Sequence, residues 1–300
     1  MAIADKKWNA SLKNRRRFTG LYFSLPLLIF VSVFTFFGIF YNVYTSFFDW
    51  SGIGSRTYIG FDNYVQIFGD PDFFNALKNT FYFLIMTVPA SMAVGLLLAT
   101  LLNGVWIADN LFKSIFFLPH VIAVVTIGTT FAGIYEPNFG LLNHLLQIFG
   151  LDSWTHSWLS DPVTSLKSIA AAYIFAHTGF YMLIYYTSML NMDPEIFEAA
   201  KIDGAGVIRQ FRHIIFPLLV GTHITLLILG IISALKVFDL VWIMTEGGPG
   251  GATELISIYL YRKSMLEFKT GYSAAVSVIL LLIAFIYTVF QLNIYNKTRR

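Results

Sequence analysis

The sequence predicts an all-α polytopic membrane protein with six transmembrane helices and both termini in the cytoplasm. Composition is the first ground. Of 300 residues, 56% are apolar, 17% aromatic and only 12% charged, and the mean hydropathy is +0.66. Soluble proteins carry about 25% charged residues, and a soluble domain of this length presents too much surface to water to hide so apolar a chain. The second ground is that apolar stretches recur six times. Each runs for about 20 residues, enough to cross a hydrocarbon core of about 30 Å. The third is the placement of Lys and Arg.

The first stretch, 20–44, follows Lys13, Arg15, Arg16 and Arg17. Its apolar run extends from Phe18 to Phe48 with no small-residue cleavage site. A cleaved signal has an apolar run of only about 7–15 residues, so this one reads as a retained signal-anchor helix. The second stretch, 76–102, contains Pro89, a candidate kink, although membrane helices also tolerate proline without function. The third, 112–134, has Pro119 near its start, and the fourth is 168–190. The fifth, 214–238, has Pro217 in its first turn, and the sixth is 272–293. Small residues suited to close helix approach lie on the second (Ala90, Ala93, Gly95, Ala99), the fourth (Ala170, Ala171, Ala172, Ala176) and the sixth (Gly271, Ser273, Ala274, Ala275, Ser277). The connecting segments 45–75, 103–111, 135–167, 191–213 and 239–271 are polar or rich in Gly, Asp, Asn and Pro, and none is long enough for a soluble domain. The expected division is a cytoplasmic tail over 1–19, a first helix and extracytoplasmic loop over 20–70, a core of five helices over 71–295 and a cytoplasmic tail over 296–300.

Orientation follows from the basic residues. Lys6, Lys7, Lys13, Arg15, Arg16, Arg17, Lys113, Lys201, Arg209, Arg212, Lys297, Arg299 and Arg300 all fall on the side of the termini. These 13 basic residues face six acidic ones there, while the other side has seven basic and 11 acidic residues. The bias puts the termini and the 191–213 segment in the cytoplasm.

That segment is locally well specified. Asp193 is a good N-cap, Pro194 suits the first helical position and Glu195 sits where the helix dipole favours negative charge. Phe197, Ala200 and Ile196 form a small apolar face, and Glu198 and Lys201 have the i,i+3 spacing of a weak ion pair. Gly204 stops the helix. A second helix starts near Ala205 and leads through Ile214 and Pro217 into the fifth span. Physics alone leaves two readings for this element: an interfacial helix against lipid heads, or a docking element for a cytoplasmic partner.

The residues decide between them by resemblance. Glu198, Ala199, Ala200, Asp203, Gly204 and Ala205, followed by Phe211, Ile214 and Pro217, resemble the EAA motif E-A-A-x-x-D-G-A of ABC-importer permeases. Gly60 to Phe68 (GFDNYVQIF), Phe116 to Pro119 (FFLP), Gly140 to Asn143 and Glu246-Gly247-Gly248-Pro249 are similar to the sugar-type branch. By these motifs the chain resembles a MalF/UgpA-like permease subunit of binding-protein-dependent ABC importers over residues 20–295. It lacks the long periplasmic insertion and extra N-terminal helices of the longer members.

The resemblance implies a type I importer permease fold and a chain in the bacterial or archaeal cytoplasmic membrane. It implies a coupling helix over 193–205 seated in a groove of the ATPase subunit. There Glu198 would be the polar anchor, Ala199 and Ala200 would permit close approach, and Gly204 would allow the turn. Phe211, Ile214 and Pro217 would seat the segment against the fifth helix. The implied partners are a second homologous permease, two copies of a cytoplasmic ABC ATPase, an extracytoplasmic binding protein or lipoprotein, and a sugar-like solute. Gly247, Gly248 and Pro249 resemble the GGP of the first of two permease subunits and are candidates for binding-protein contact. ATP and Mg belong to the partner ATPase chains. The chain itself has no G-x-x-x-x-G-K pattern, so no catalytic residue, cofactor, metal or nucleic acid is expected.

A solute path needs polar or aromatic groups facing the bundle interior. Tyr173, His177 and Tyr181 recur at i, i+4 and i+8 on the fourth stretch. They suit a sugar, which takes both ring faces and hydrogen bonds, and they equally suit interhelical contacts. His177 is not a metal ligand on this reading, since neither a carboxylate nor a second His accompanies it on that face. Ser233, Lys236 and Asp239 are candidates on the fifth stretch, either at the pore mouth or as an interfacial Lys236–Asp239 pair. His223 and Thr225 lie deeper and are weaker candidates. Scarce intramembrane positive charge beyond Lys236 favours a neutral sugar, with glycerol-3-phosphate or another polar solute as the alternative. A secondary transporter would carry ion-coupling carboxylates or matched repeats, and a membrane enzyme would cluster catalytic groups; neither pattern is evident. The absence of cysteine excludes disulfides and thiol chemistry.

Overall fold

The computed structural model describes residues 22–103 and 109–298, together with Thr19. The basic N-terminal tail, apart from Thr19, and Arg299 and Arg300 of the C-terminal tail lie outside the described residues. Among the described residues the chain is all-α apart from one hairpin of two two-residue strands. It divides into two compact units, Met1–Ile67 with Lys263–Leu280, and Phe68–Arg262 with Leu281–Arg300.

The first unit opens with α1 (Tyr22–Thr45), whose ladder widens into a π turn at Ser32–Phe36. Strands β1 (Phe48–Asp49) and β2 (Thr57–Tyr58) pair antiparallel, Phe48 opposite Tyr58. Helix α2 (Asp62–Gly69) follows. Its buried Asn63 donates to Ser46 O at 2.8 Å and Phe48 O at 3.0 Å, and Tyr64 Oη meets Ser46 Oγ at 2.7 Å. The Asn and Tyr of the GFDNYVQIF run thus close the corner after α1. The last helix starts against the same hairpin: Gly271 N donates to Trp50 O at 3.0 Å, and a Cβ on Gly271 would collide with Phe48 O.

The second unit is built around two long helices, α3 (Pro71–Leu102) and α7 (Ser165–Leu190). Asp70 caps α3 by accepting from Asp72 N at 2.9 Å, and Pro71 takes the first helical position. This cap starts the helix five residues before the expected apolar stretch. The helix continues through Pro89 as one element. It packs closely on α7, where a Cβ on Gly95 would lie 2.7 Å from Tyr181 Cβ. Gly95 therefore does what small residues do in lipid, letting two backbones approach.

The third and fifth stretches are not straight helices. The third becomes α4 (Asp109–Val121) and α5 (Val124–Ile134), bent by 91°. Ala123 between them is extended, at φ −55° and ψ 133°. The fifth becomes α9 (Val207–Leu218) and α10 (Val220–Leu235), bent by 65° after Pro217, and it ends at Leu235, three residues short of the expected Phe238. Hydropathy averages over such breaks, because broken backbone at membrane depth is tolerated where protein covers it. Four helices, α1, α3, α7 and α13 (Thr270–Thr298), are each long and apolar enough to cross a membrane, or six spans if each bent pair counts as one.

Shorter helices join them: α6 (Leu141–Ile148), α8 (Pro194–Ile202), α11 (Asp239–Thr245) and α12 (Ile256–Tyr261). In the first turn of α6, buried Asn143 spends its whole amide on the flanking loops. It donates to Pro137 O and His156 O at 3.0 Å each and accepts from Trp158 Nε1 at 2.7 Å. Long apolar side chains point outward along the long helices, Phe81 at 62% and Phe285 at 63% exposure. In water that would be costly; against lipid it is the expected surface.

Candidate functional site

Three constellations in the second unit carry chemistry. The first is the segment after α7. Asp193 Oδ1 accepts from Glu195 N at 3.0 Å and Pro194 opens α8, as the sequence predicts. The end is a Schellman motif: Gly204 N donates to Lys201 O at 3.1 Å and Ala205 N to Ala200 O at 2.9 Å. Gly204 has φ +73°, a left-handed value that costs a side chain and suits glycine. Gln210 Nε2 then clamps Ala205 O at 2.7 Å. The D-G-A of the motif is therefore a helix stop with its bonds assigned.

The turn sets which face of α8 is used internally. Ala200 is buried and Phe197 packs with Phe211 on the core of Met189, Ile215 and Leu219. Glu195, Glu198, Ala199 and Ile202 lie on the other face, all exposed, Ile202 at 87%. Among the described residues Glu198 has no hydrogen bond or ion pair, and the expected Glu198–Lys201 pair does not form.

The second is a cavity of about 170 Å3, lined by Tyr173, His177, Ser233, Lys236 and Asp239 with apolar walls from Val124, Ile127 and Phe238. Tyr173 and His177 stack, ring centroids 3.8 Å apart at 15°. His177 Nδ1 lies 2.9 Å from Tyr173 O, and a carbonyl only accepts, so Nδ1 carries the proton and Nε2 is left as an acceptor. Tyr173 is 1% exposed, and its hydroxyl has no partner. Such a group, left unpaired, costs about 1–3 kcal/mol, and in this conformation the hydroxyl is sealed from the cavity. Lys236 and Asp239 share the cavity, and among the described residues neither makes an ion pair.

Four of the five path candidates thus converge, and Tyr181 does not. It is wedged between helices, and a Cβ on Gly230 would collide with its hydroxyl. At 3.6 residues per turn, eight residues rotate a side chain about 80° away from the starting face. His120 of α4, which sequence reasoning passed over, stands beside His177 with centroids 5.5 Å apart. Among the described residues no group of three potential metal ligands forms.

The third constellation is the loop after α11. Glu246 has φ 53° and Gly247 φ 91°, and the Gly248–Pro249 peptide is cis. Thr253 Oγ1 donates to Gly248 O at 2.7 Å. Asn75 and Asn79 of α3 hold Gly251 O at 3.0 and 2.9 Å. Arg262 binds both oxygens of Glu254 at 2.8 and 3.0 Å and lies 3.6 Å from Asp72. Gly247 and Gly248 line an open pocket of about 340 Å3 with these charges. Pro249 does not line it; it stands in the half-buried turn.

The chain is thus an all-α, multi-pass membrane protein with a polar cavity among its helices. Residues 15–300 match the family described as binding-protein-dependent transport system inner membrane component, and the chain belongs to it. It is the non-catalytic transmembrane permease component of an ABC-type importer, in the architecture of permease pair, ATPase and binding protein. The chain is 30% identical to the lactose transport system permease protein LacF of Rhizobium radiobacter, over 94% of this chain and 95% of that one. It is 28% identical to the trehalose/maltose transport system permease protein MalF of Thermococcus litoralis, over 97% and 98%. Its fold is similar to a chain in the crystal structure of a bacterial ABC transporter involved in the import of the acidic polysaccharide alginate. That likeness has a TM-score of 0.84 at 23% identity and covers 96% of this chain and 99% of the other.

Proposed function

We propose that this chain forms, with a second homologous permease, the translocation path for a di- or oligosaccharide delivered by an extracytoplasmic binding protein. Six spans put both termini and α8 in the cytoplasm, where two ATPase copies engage the exposed face of α8. The 71–295 region is the permease core, and the loop around Gly247, Gly248 and Pro249 faces the binding protein. The observation that carries the reading is the open Glu198, Ala199 and Ile202 face, backed by the Schellman turn at Gly204. A rigid helix with a fixed stop transmits a push, and a frayed one would absorb it. ATP-driven closure of the ATPase pair would move α8 and α9 and so bias the inward-open and outward-open populations.

In the cavity the Tyr173–His177 stack offers an apolar ring face, while His177 Nε2 and Ser233 offer hydrogen bonds, and the sealed Tyr173 hydroxyl adds a third once the helices open around it. That combination fits a pyranose, which has apolar C–H faces and a polar rim. LacF and MalF are named for disaccharides, which supports the same class. Lys236, unpaired in the cavity, favours a second reading, an anionic solute such as glycerol-3-phosphate. Calorimetry of the partner binding protein with neutral disaccharides and with glycerol-3-phosphate decides between the two. Tyr173→Phe is a companion test. It removes only an unpaired hydroxyl, so thermal unfolding in detergent should hold or rise by about 1 kcal/mol. Uptake into proteoliposomes should fall several-fold. Unchanged uptake would remove Tyr173 from the path.

A further inference from the structure

Helices α9 and α10 meet at 65° across Leu219. Pro217 lacks an N–H, so the His213 carbonyl one turn back loses its regular donor, and the chain bends two residues on. The main chain still bonds across the bend, Leu219 N to Ile215 O at 3.1 Å and His223 N to Leu219 O at 2.8 Å. The side chain of His223 adds a brace. Its Nε2 lies 3.2 Å from Phe216 O, on the far side of the bend. Its Nδ1 lies 2.7 Å from Tyr185 Oη on α7. A carbonyl only accepts, so Nε2 carries the proton, Nδ1 accepts and Tyr185 donates. Every hydrogen-bonding position of the ring is used. The imidazole also packs on both partners, 5.3 Å from the Tyr185 ring and 4.7 Å from the Phe216 ring. One residue earlier, Thr222 donates to Ser188 Oγ at 3.0 Å, fastening the start of α10 to α7 a second time. Tyr185, Phe216 and His223 stand in the wall of an apolar cavity of about 760 Å3, where a polar relay gains strength from low dielectric.

We propose that His223 is a positioning residue that sets the α9–α10 bend and ties it to α7. The proposal rests on the reading of α8 as the ATPase-docking helix for its functional half only. Segment 194–218 cannot swing against α10 without breaking the Phe216–His223 bond or drawing Tyr185 with it. Tyr185 is on the helix that carries Tyr173 and His177, so the bond links the docking segment to the solute cavity by one named contact.

The chain has no cysteine, so Ile208→Cys and Leu229→Cys, at exposed positions, give a unique spin-label pair across the bend in the purified full chain. The parent should show one narrow distance population. His223→Phe and the near-isosteric Tyr185→Phe should each enlarge a second population about fivefold, the ratio one lost hydrogen bond sets. His223→Gln, whose amide donates and accepts, should restore the parent distribution. Unchanged distances in both phenylalanine variants overturn the proposal, and so does a glutamine variant no different from His223→Phe. In the complex purified with its native partners, solute moved per ATP hydrolysed should fall about fivefold in His223→Phe, with hydrolysis retained. It should recover in His223→Gln. An unchanged ratio overturns the functional half. A parent complex without ATP hydrolysis overturns the docking reading alone, and the spin-label distances still decide the bend.

Discussion

Replacing Glu198 by Lys is expected to abolish solute uptake by the assembled importer while leaving the chain folded in the membrane. The two halves have separate causes. Glu198 is exposed on α8 and, among the described residues, makes no hydrogen bond or ion pair. Exposed substitutions away from caps and networks change stability within about 0.5 kcal/mol. The helix keeps its Asp193 cap and its Gly204 stop, neither of which involves residue 198. At an interface the sign change is another matter. A charge that loses its partner on docking costs about 2–5 kcal/mol, about 30-fold to several thousandfold in affinity. The readouts are expression and thermal unfolding of the variant, ATPase copurification, and uptake in proteoliposomes with the loaded binding protein. Parent-level uptake in Glu198→Lys would sink the docking role of α8. Retained copurification with lost uptake would assign Glu198 to transmission rather than to assembly.

Helix α8 and its stop were legible because all their determinants are local. Asp193, Pro194 and Gly204 cap, start and stop a helix by rules that act within one turn, and the structure realises each of them. The four long helices were legible for a related reason: hydropathy over about 20 residues is a one-dimensional property. What sequence could not give is the geometry that depends on a second element. Hydropathy is blind to direction, so the 91° and 65° bends stayed hidden in apparently continuous spans. Loose helical spacing grouped Tyr181 with Tyr173, although the helix had already turned it toward Gly230. His120 was overlooked beside His177, and the His223–Tyr185 bond was invisible, because each joins residues far apart in the chain. The cavity itself, from the fourth and fifth stretches together, was anticipated in its residues but not in its convergence.

Gly179→Val is expected to prevent the folded state, the largest structural effect of any single change considered. Helices α4 and α7 run against each other along a seam of paired positions. Lys113 reaches the Tyr186 hydroxyl at 3.4 Å at one end, and His120 meets His177 with centroids 5.5 Å apart at the other. Gly179 lies between them, facing the backbone of α4. A Cβ there would collide with Phe116 O and stand 2.8 Å from Phe117 Cα. Overpacking against side chains costs about 1–3 kcal/mol because rotamers can yield. Main chain in a helix cannot yield without breaking its ladder, so α4 must leave α7. The departure would carry His120 away from His177, which lines the cavity of about 170 Å3. Separation of the two effects of glycine replacement needs a control. Gly221→Val puts the same side chain in α10 at a position where a Cβ meets nothing within 4 Å. The control should purify as a single species in detergent, while Gly179→Val should aggregate or be degraded. Gly179→Ala should fall between them, since it brings the collision without the branch. A well-behaved Gly179→Val would mean that α4 and α7 are not in backbone contact, and the FFLP run at Phe116 to Pro119 would lose the reason this fold gives for its position.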